Sequence, residues 1–189
     1  KNKHMRITWV LADETVLDPG QEMAQLKMIG STWGSWRTWR AYGTDNVICH
    51  EVKKASELLK RAFQAVCNFY IPNENYALLD RPMGVHLYEG GFVHDVQHQE
   101  EIVALHLAAS QSDIVLLLGF DCTEKEPETD LLKAHQEQHY HGLFRQVIVD
   151  NPEIQWVLVD HPGDIRENLS DLPNLTQDTI SKVIELLGS

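Results

Sequence analysis

The run HQEQHYH, residues 135–141, sets His135 and His139 four apart with His141 close by, and His94 and His98 repeat that interval upstream. On a helix this spacing puts two imidazoles on one face, where they can bridge a zinc ion or exchange protons near neutral pH. The glutamate of HQEQH stands at the middle position rather than directly after the first histidine, so the metalloprotease signature is not met. The outer positions of the run fit a solvated polar helix face. A second constellation follows the apolar runs, each of which is succeeded by an acid or a histidine. The residues are Asp13 and Glu14; His50 and Glu51; Glu89 to Gly91 with His94; Gly119, Phe120 and Asp121; and Asp160, His161 and Asp164. Gathered on one rim, such groups hold a divalent cation (Mg²⁺ or Mn²⁺, with Asp13 and Glu14 as ligands) or supply an acid–base pair.

A third feature is the stretch GSTWGSWRTWR, residues 30–40. On a helix, the spacing of Trp33, Trp36 and Trp39 spans an arc of about 120°, with Arg37 and Arg40 on a neighbouring face. Ser35 is an expected N-cap, and Gly30, Ser31, Thr32 and Gly34 precede it. Two readings follow. Free N–H groups of the turn and Arg37 receive an anion, with a base or sugar stacked on Trp36. Otherwise the stripe packs against the sheet or against a second copy in a homo-oligomer.

The elements that must position these groups alternate along the chain. Ile7–Ala12, Asn46–His50, Val85–Tyr88, Asp113–Gly119 and Gln155–Val159 read as strands, mostly unbroken apolar runs of the kind buried on both faces. Between them, Pro19–Met28, a segment from near Ser35, Lys53–Cys67, Gln97–Ser110 and Thr129–Asp150 read as helices. Asn73–Pro82 reads as a loop, and Thr176 is the expected cap of a last helix, Gln177–Leu187. Parallel strands need crossovers, and crossover helices cover both faces of the sheet. The expected fold is therefore one three-layer, doubly wound Rossmann-like α/β domain over residues 1–189, with a mostly parallel sheet of five or six strands. Ligands of such sheets bind outside the carboxyl ends of the strands, where the rim residues lie.

Composition excludes several classes. A formal net charge of −12 opposes a duplex nucleic-acid binder, which needs a basic face. No apolar run reaches the length of a membrane helix. The three cysteines, Cys49, Cys67 and Cys122, have no CxxC spacing, which points to a reducing cytoplasm rather than to a disulfide framework.

From Asp113 the chain runs DIVLLLGFDC, then an acidic loop, then HQEQHYHGLFRQVIVDNPEIQWVLVDHPGD and LPNLTQDTISKVIELL. This order, over residues 113–187, resembles the sialyltransferase-like glycosyltransferases and their uncharacterised bacterial and phage-encoded relatives. The resemblance implies that Gly119 and Asp121 form the turn beside a nucleotide-sugar cleft. It implies that His139, next to Tyr140, is the general base for an acceptor hydroxyl. The family's first strand runs into a Gly-rich turn that admits the nucleotide phosphate. Here it ends ADETVLDPG, and Asp13 and Glu14 repel phosphate unless a metal intervenes.

Two functions stand side by side. One is a transferase or hydrolase acting on a nucleotide, sugar or phosphate compound. It would use His139 or His161 for proton transfer, Asp121 as a metal or hydroxyl ligand, and Gly119 and Asp160 on the ligand. The other is a non-catalytic α/β module that binds a small ligand or a protein.

Overall fold

Short runs of aliphatic, β-branched and aromatic residues form the strands, and longer segments with one apolar face form the helices that cover them. The computed structural model describes residues 4–17, 23–91, 98–122, 128–163, 169 and 171–188. In chain order the elements are β1 (Ile7–Leu11), α1 (Met23–Ile29), β2 (Ser31–Ser35), α2 (Trp36–Tyr42), β3 (Asn46–Ile48), α3 (Val52–Lys60) and a 3-10 turn, Phe63–Ala65. There follow β4 (Asn68–Pro72), α4 (Asn73–Tyr76), β5 (His86–Tyr88), α5 (Gln99–Ala109), β6 (Ile114–Leu118) and α6 (Leu131–Asp150). The chain closes with β7 (Gln155–Val159), β8 (Leu175–Asp178) and α7 (Ile180–Leu187).

All eight strands form one sheet in the order β5-β4-β3-β2-β1-β6-β7-β8, and every pairing is parallel. The expected count of five or six strands is thus corrected to eight. From β1 the chain builds outward to β5, then returns through α5 to place β6 on the other side of β1. The strand order reverses at β1 and β6, so their carboxyl ends frame the crevice characteristic of open parallel sheets. Helix α5 makes this return by crossing β1, β2 and β3 and packing on α6.

Side chains alternate between the two faces as a pleat requires. Val10, Trp33, Ile48, Val115, Leu117 and Trp156 share one core with Ile102 and Leu105 of α5 and Phe144 and Val147 of α6. Trp9, Leu11, Leu116 and Leu118 point the other way, onto Leu26 of α1 and Ile180 and Val183 of α7. On that second side Val47, Cys49, Phe69 and Ile71 pack with Ala55 of α3 and Phe63.

Three strands differ from the sequence expectation. β2 contains Trp33, so the three tryptophans do not lie on one helix. Trp33, 1% exposed, is in the first core beside Tyr70, whereas Trp36 and Trp39 pack around Phe63 on the other face. β4 lies immediately after the 3-10 turn, where the expected helix continued to Cys67; that helix ends at Lys60. The expected loop at Asn73 opens with the short α4 instead. β8 takes up Leu175–Asp178, so the cap of the last helix is Thr179, which accepts a hydrogen bond from Lys182 N, and not Thr176. Ser35 is the N-cap of α2 as expected. Pro19, His94 and Asp164 lie outside the described residues. Among the described residues no helix is long and apolar enough to cross a membrane.

Candidate functional site

The carboxyl ends of β1 and β6 are tied together before any functional group is placed. Ala12 N donates to Leu118 O at 2.9 Å, and the Thr15 hydroxyl donates to the same carbonyl at 2.9 Å. Gly119 follows with φ of +81°, and a Cβ there would stand 2.2 Å from Thr15 Oγ1. Only glycine permits this conformation at this approach, so the two loops close on each other at the switch point.

Asp13, next in line after β1, receives groups from two helices. Its backbone N–H donates to Glu101 Oε1 of α5 at 2.7 Å. Its carboxylate accepts the Ser35 hydroxyl in a short hydrogen bond, and Thr38 Oγ1 lies 3.4 Å away. Ser35 in turn accepts N–H bonds from Arg37 and Thr38 as the cap of α2. The other Asp13 oxygen faces His98 Nδ1 at 3.2 Å and Arg37 Nη1 at 3.9 Å. From α6 the Tyr140 hydroxyl donates to Glu101 Oε2 at 2.6 Å, and its ring meets His98 edge-on at 6.4 Å. His98 occupies the position before α5 with φ of +57°, a left-handed conformation uncommon outside glycine. Backbone strain of this kind concentrates at functional sites.

Burial and mutual charge separate the titrations of these groups. Glu101 is 5% exposed, and burial, followed by the Asp13 charge, pushes its carboxyl up to about 7. Burial acts on Asp13 in the same direction. There the hydrogen bonds from His98 and Ser35, then the charges of His98 and Arg37, outweigh it and hold the carboxyl below its ordinary range. His98 is raised, chiefly by its bond to Asp13, with burial opposing and the Glu101, Asp13 and Glu14 charges assisting. Burial, then Glu101, keeps the Tyr140 phenol far above its ordinary value, so it remains a donor. A low carboxylate, a raised imidazole and a carboxyl balanced near neutrality stand in contact, the arrangement in which acid and base roles divide.

These groups border a cleft of about 170 Å³, lined by Ala12, Glu14, His98, Glu101, Gly119, Phe120, Asp121, Glu137, Tyr140 and His141. One ligand atom each from Asp13, His98 and Glu101 lies within 4.8 Å of the others, the one such trio among the described residues, so these are the residues that can share a cation.

The rim assumption holds, because all strands are parallel, but the residues expected there part company. Glu14, Gly119 and Asp121 line the cleft, and Asp13 lies beneath it among them. Ser35 and Arg37 reach the site only through Asp13, and Arg37 also pairs with Glu51 at 3.0 Å. Gly30 and Ser31 stand at the amino end of β2, the opposite edge of the sheet, where a Cβ on Gly30 would lie 2.1 Å from Ile7 O. They support packing and cannot join the cleft. Trp36 lies under the Arg37 guanidinium and the Lys54 ammonium, at 4.7 and 4.3 Å from its ring centre, and Arg40 is exposed in the last turn of α2.

Asp160 accepts from Ile180 N at 2.9 Å and so caps α7. His161, with a side chain 2% exposed, accepts from Cys122 N at 2.9 Å and faces Gly163 O at 3.3 Å. Both ring nitrogens are thereby held by backbone groups, and the ring ties two loops together. His139 is exposed, with its ring 6.4 Å from that of His135. Glu137, Tyr140 and His141 share the cleft-facing side of α6, and a residue one step before Tyr140 is turned about 100° away.

Glu101, Tyr140 and Thr38 are site residues that the sequence did not mark, and His98 was marked only as the partner of His94 in a pair spaced for metal or proton exchange. The signal for Glu101 was present: EEIVALHLAA opens an otherwise apolar helix with two acids, and both are buried. Neither the sequence models of known protein families nor the sequences of curated proteins match the chain.

Proposed function

We propose that the switch-point cleft is the active site of a transferase or hydrolase acting on a hydroxyl-bearing sugar or nucleoside compound. The observation that carries this reading is the hydrogen-bonded, partly buried array Asp13–His98–Glu101–Tyr140 at the rim of the sheet. Asp13 holds His98 through Nδ1, which leaves Nε2 to act on a ligand. His98 then takes the proton of a hydroxyl, from water or an acceptor alcohol, as that oxygen bonds to the electrophilic carbon of the substrate. The bond from that carbon to the leaving oxygen breaks, and the leaving oxygen takes the electron pair. Glu101, half-protonated near neutral pH, returns a proton to it, directly or through the Tyr140 hydroxyl.

The resemblance of residues 113–187 to sialyltransferase-like enzymes agrees with a Rossmann-like transferase, with Gly119 and Asp121 beside the cleft and the base role moved from His139 to His98. The test is release of nucleotide or nitrophenol from a panel of nucleotide sugars and nitrophenyl glycosides. His98→Gln and Glu101→Gln should each lose about 10²-fold or more. Absence of turnover of every panel member by the unaltered protein overturns the enzyme reading in favour of a non-catalytic binding module.

A second reading has its own observation, the closeness of Asp13, His98 and Glu101. Mixed nitrogen and oxygen ligands suit Mn²⁺, and a bound dication would let this acidic cleft accept a phosphate. It predicts Mn²⁺ binding without substrate, abolished by Asp13→Asn; calorimetry showing no Mn²⁺ uptake removes it.

A further inference from the structure

The first turn of α5 has two sides. His98 and Glu101, three apart, border the switch-point cleft, whereas Gln99 and Glu100 turn toward β3. There His50 Nδ1 stands 3.2 Å from Glu100, His50 Nε2 meets the Gln99 amide at short range, and the Asn75 amide donates to His50 O at 2.6 Å. Beyond them, at the carboxyl ends of β3, β4 and β5, is a second pocket of about 190 Å³.

Two of its groups are unmet. Tyr88 is only 6% exposed, yet its hydroxyl makes no hydrogen bond with any described residue. The ring is buried while the hydroxyl opens into the pocket, so its hydrogen bonds go to whatever fills that space, water or ligand. Glu74, an exposed residue of α4, borders the same pocket and makes no hydrogen bond or ion pair with a described residue, so its carboxylate is available to a ligand there. Gly90 keeps the space between them open, since a Cβ there would stand 2.9 Å from Glu74 Oε1 and 3.1 Å from Pro72 Cβ.

We infer that this pocket is a second subsite of the same substrate and holds a neutral, hydroxyl-rich ring of the sugar class, an inference that rests on the active-site reading above. A sugar hydroxyl donates to Glu74 while a hydroxyl of the same ring accepts from Tyr88. An ammonium group only donates and leaves Tyr88 without an acceptor to receive its proton. A phosphate offers Glu74 no donor and is repelled by its carboxylate. The shared helical turn places the ring beside the reacting end of the substrate, so the substrate has two parts, one on each side of α5.

The experiment is ligand-detected NMR titration of a panel of neutral methyl glycosides, with inorganic phosphate and methylammonium as comparison probes. It uses the full chain and its Tyr88→Phe, Gly90→Val and His98→Gln variants. A glycoside is expected to bind the unaltered protein at up to tens of millimolar. Tyr88→Phe should weaken that binding roughly threefold to tenfold, the share of one hydrogen bond, with the melting temperature unchanged because the hydroxyl has no protein partner to lose. Gly90→Val should abolish it, and His98→Gln should leave it in place.

No glycoside binding, binding of phosphate or methylammonium alone, or equal affinity in Tyr88→Phe overturns the inference. Glycoside binding that follows the pocket variants, in a protein that turns nothing over, would instead sink the catalytic reading and leave the subsite standing.

Discussion

Replacing Glu101 by glutamine tests the electrostatic core of the site without removing its shape. Glutamine keeps an oxygen for the Asp13 N–H and offers its amide to the Tyr140 oxygen, so packing and hydrogen bonding survive. What changes is charge. Burial and the Asp13 carboxylate raise Glu101 from 4.5 to about 7 in the folded chain. A raised carboxyl binds its proton more tightly in the native state than in the unfolded one. Its stabilising contribution is therefore complete below the ordinary value and is lost as pH climbs through the folded one. Between those limits the unaltered protein forfeits up to about 3 kcal/mol, at about 1.4 kcal/mol for each pH unit.

Glu101→Gln has no such charge to bury. The variant and the unaltered protein should differ little at about pH 5, and the variant should be the more stable by up to about 3 kcal/mol at about pH 8. Urea unfolding monitored by tryptophan fluorescence at both pH values reads this directly. A stability difference that does not change with pH would refute the reasoning, because it would mean that Glu101 ionises in the folded chain as it does in water.

Other outcomes follow from the same geometry. Asp13→Asn removes the acceptor that holds His98 and should lower turnover by about 10²-fold or more, measured on any substrate the panel reveals. Gly119→Ala meets both a positive φ and the Thr15 hydroxyl and should cost about 2 kcal/mol or more in urea unfolding. Trp33→Ala empties a fully buried site and should cost about 3–5 kcal/mol, whereas Arg40→Ala should stay within about 0.5 kcal/mol. His161→Ala should lower the melting temperature through its lost Cys122 and Gly163 contacts while leaving the pH profile of turnover unchanged.

The parallel sheet was legible where burial on both faces leaves an unbroken apolar word, as in IVLLL of β6 and QWVLV of β7. It was not legible in STWGS of β2, whose glycine and serines look like a turn. There Gly34 is small because Thr38 Cβ would crowd any side chain, at 2.8 Å, and Ser35 is retained as a helix cap. β8, LTQD, is an edge strand with exposed positions, so no apolar pattern marks it. β4 begins after only two intervening residues, Val66 and Cys67, beyond its preceding 3-10 turn, where the helical period had not visibly ended.

The rim was readable from strand ends alone, and Asp13, Glu14, Gly119 and Asp121 came from it. His98 and Glu101 were not, because they come from the start of a crossover helix rather than from a strand end. Only the fold reveals that this helix crosses back over β1. Asp160 and His161 show the converse: polar residues at a strand end that spend their hydrogen bonds on backbone.

The most direct test of the account is the titration of His98, followed by long-range proton–nitrogen NMR of the imidazole in the unaltered protein and in Asp13→Asn. The account predicts a proton on Nδ1 and a midpoint above the ordinary 6.5, falling when the Asp13 charge is removed. An unchanged midpoint, or a neutral ring protonated on Nε2, would contradict it.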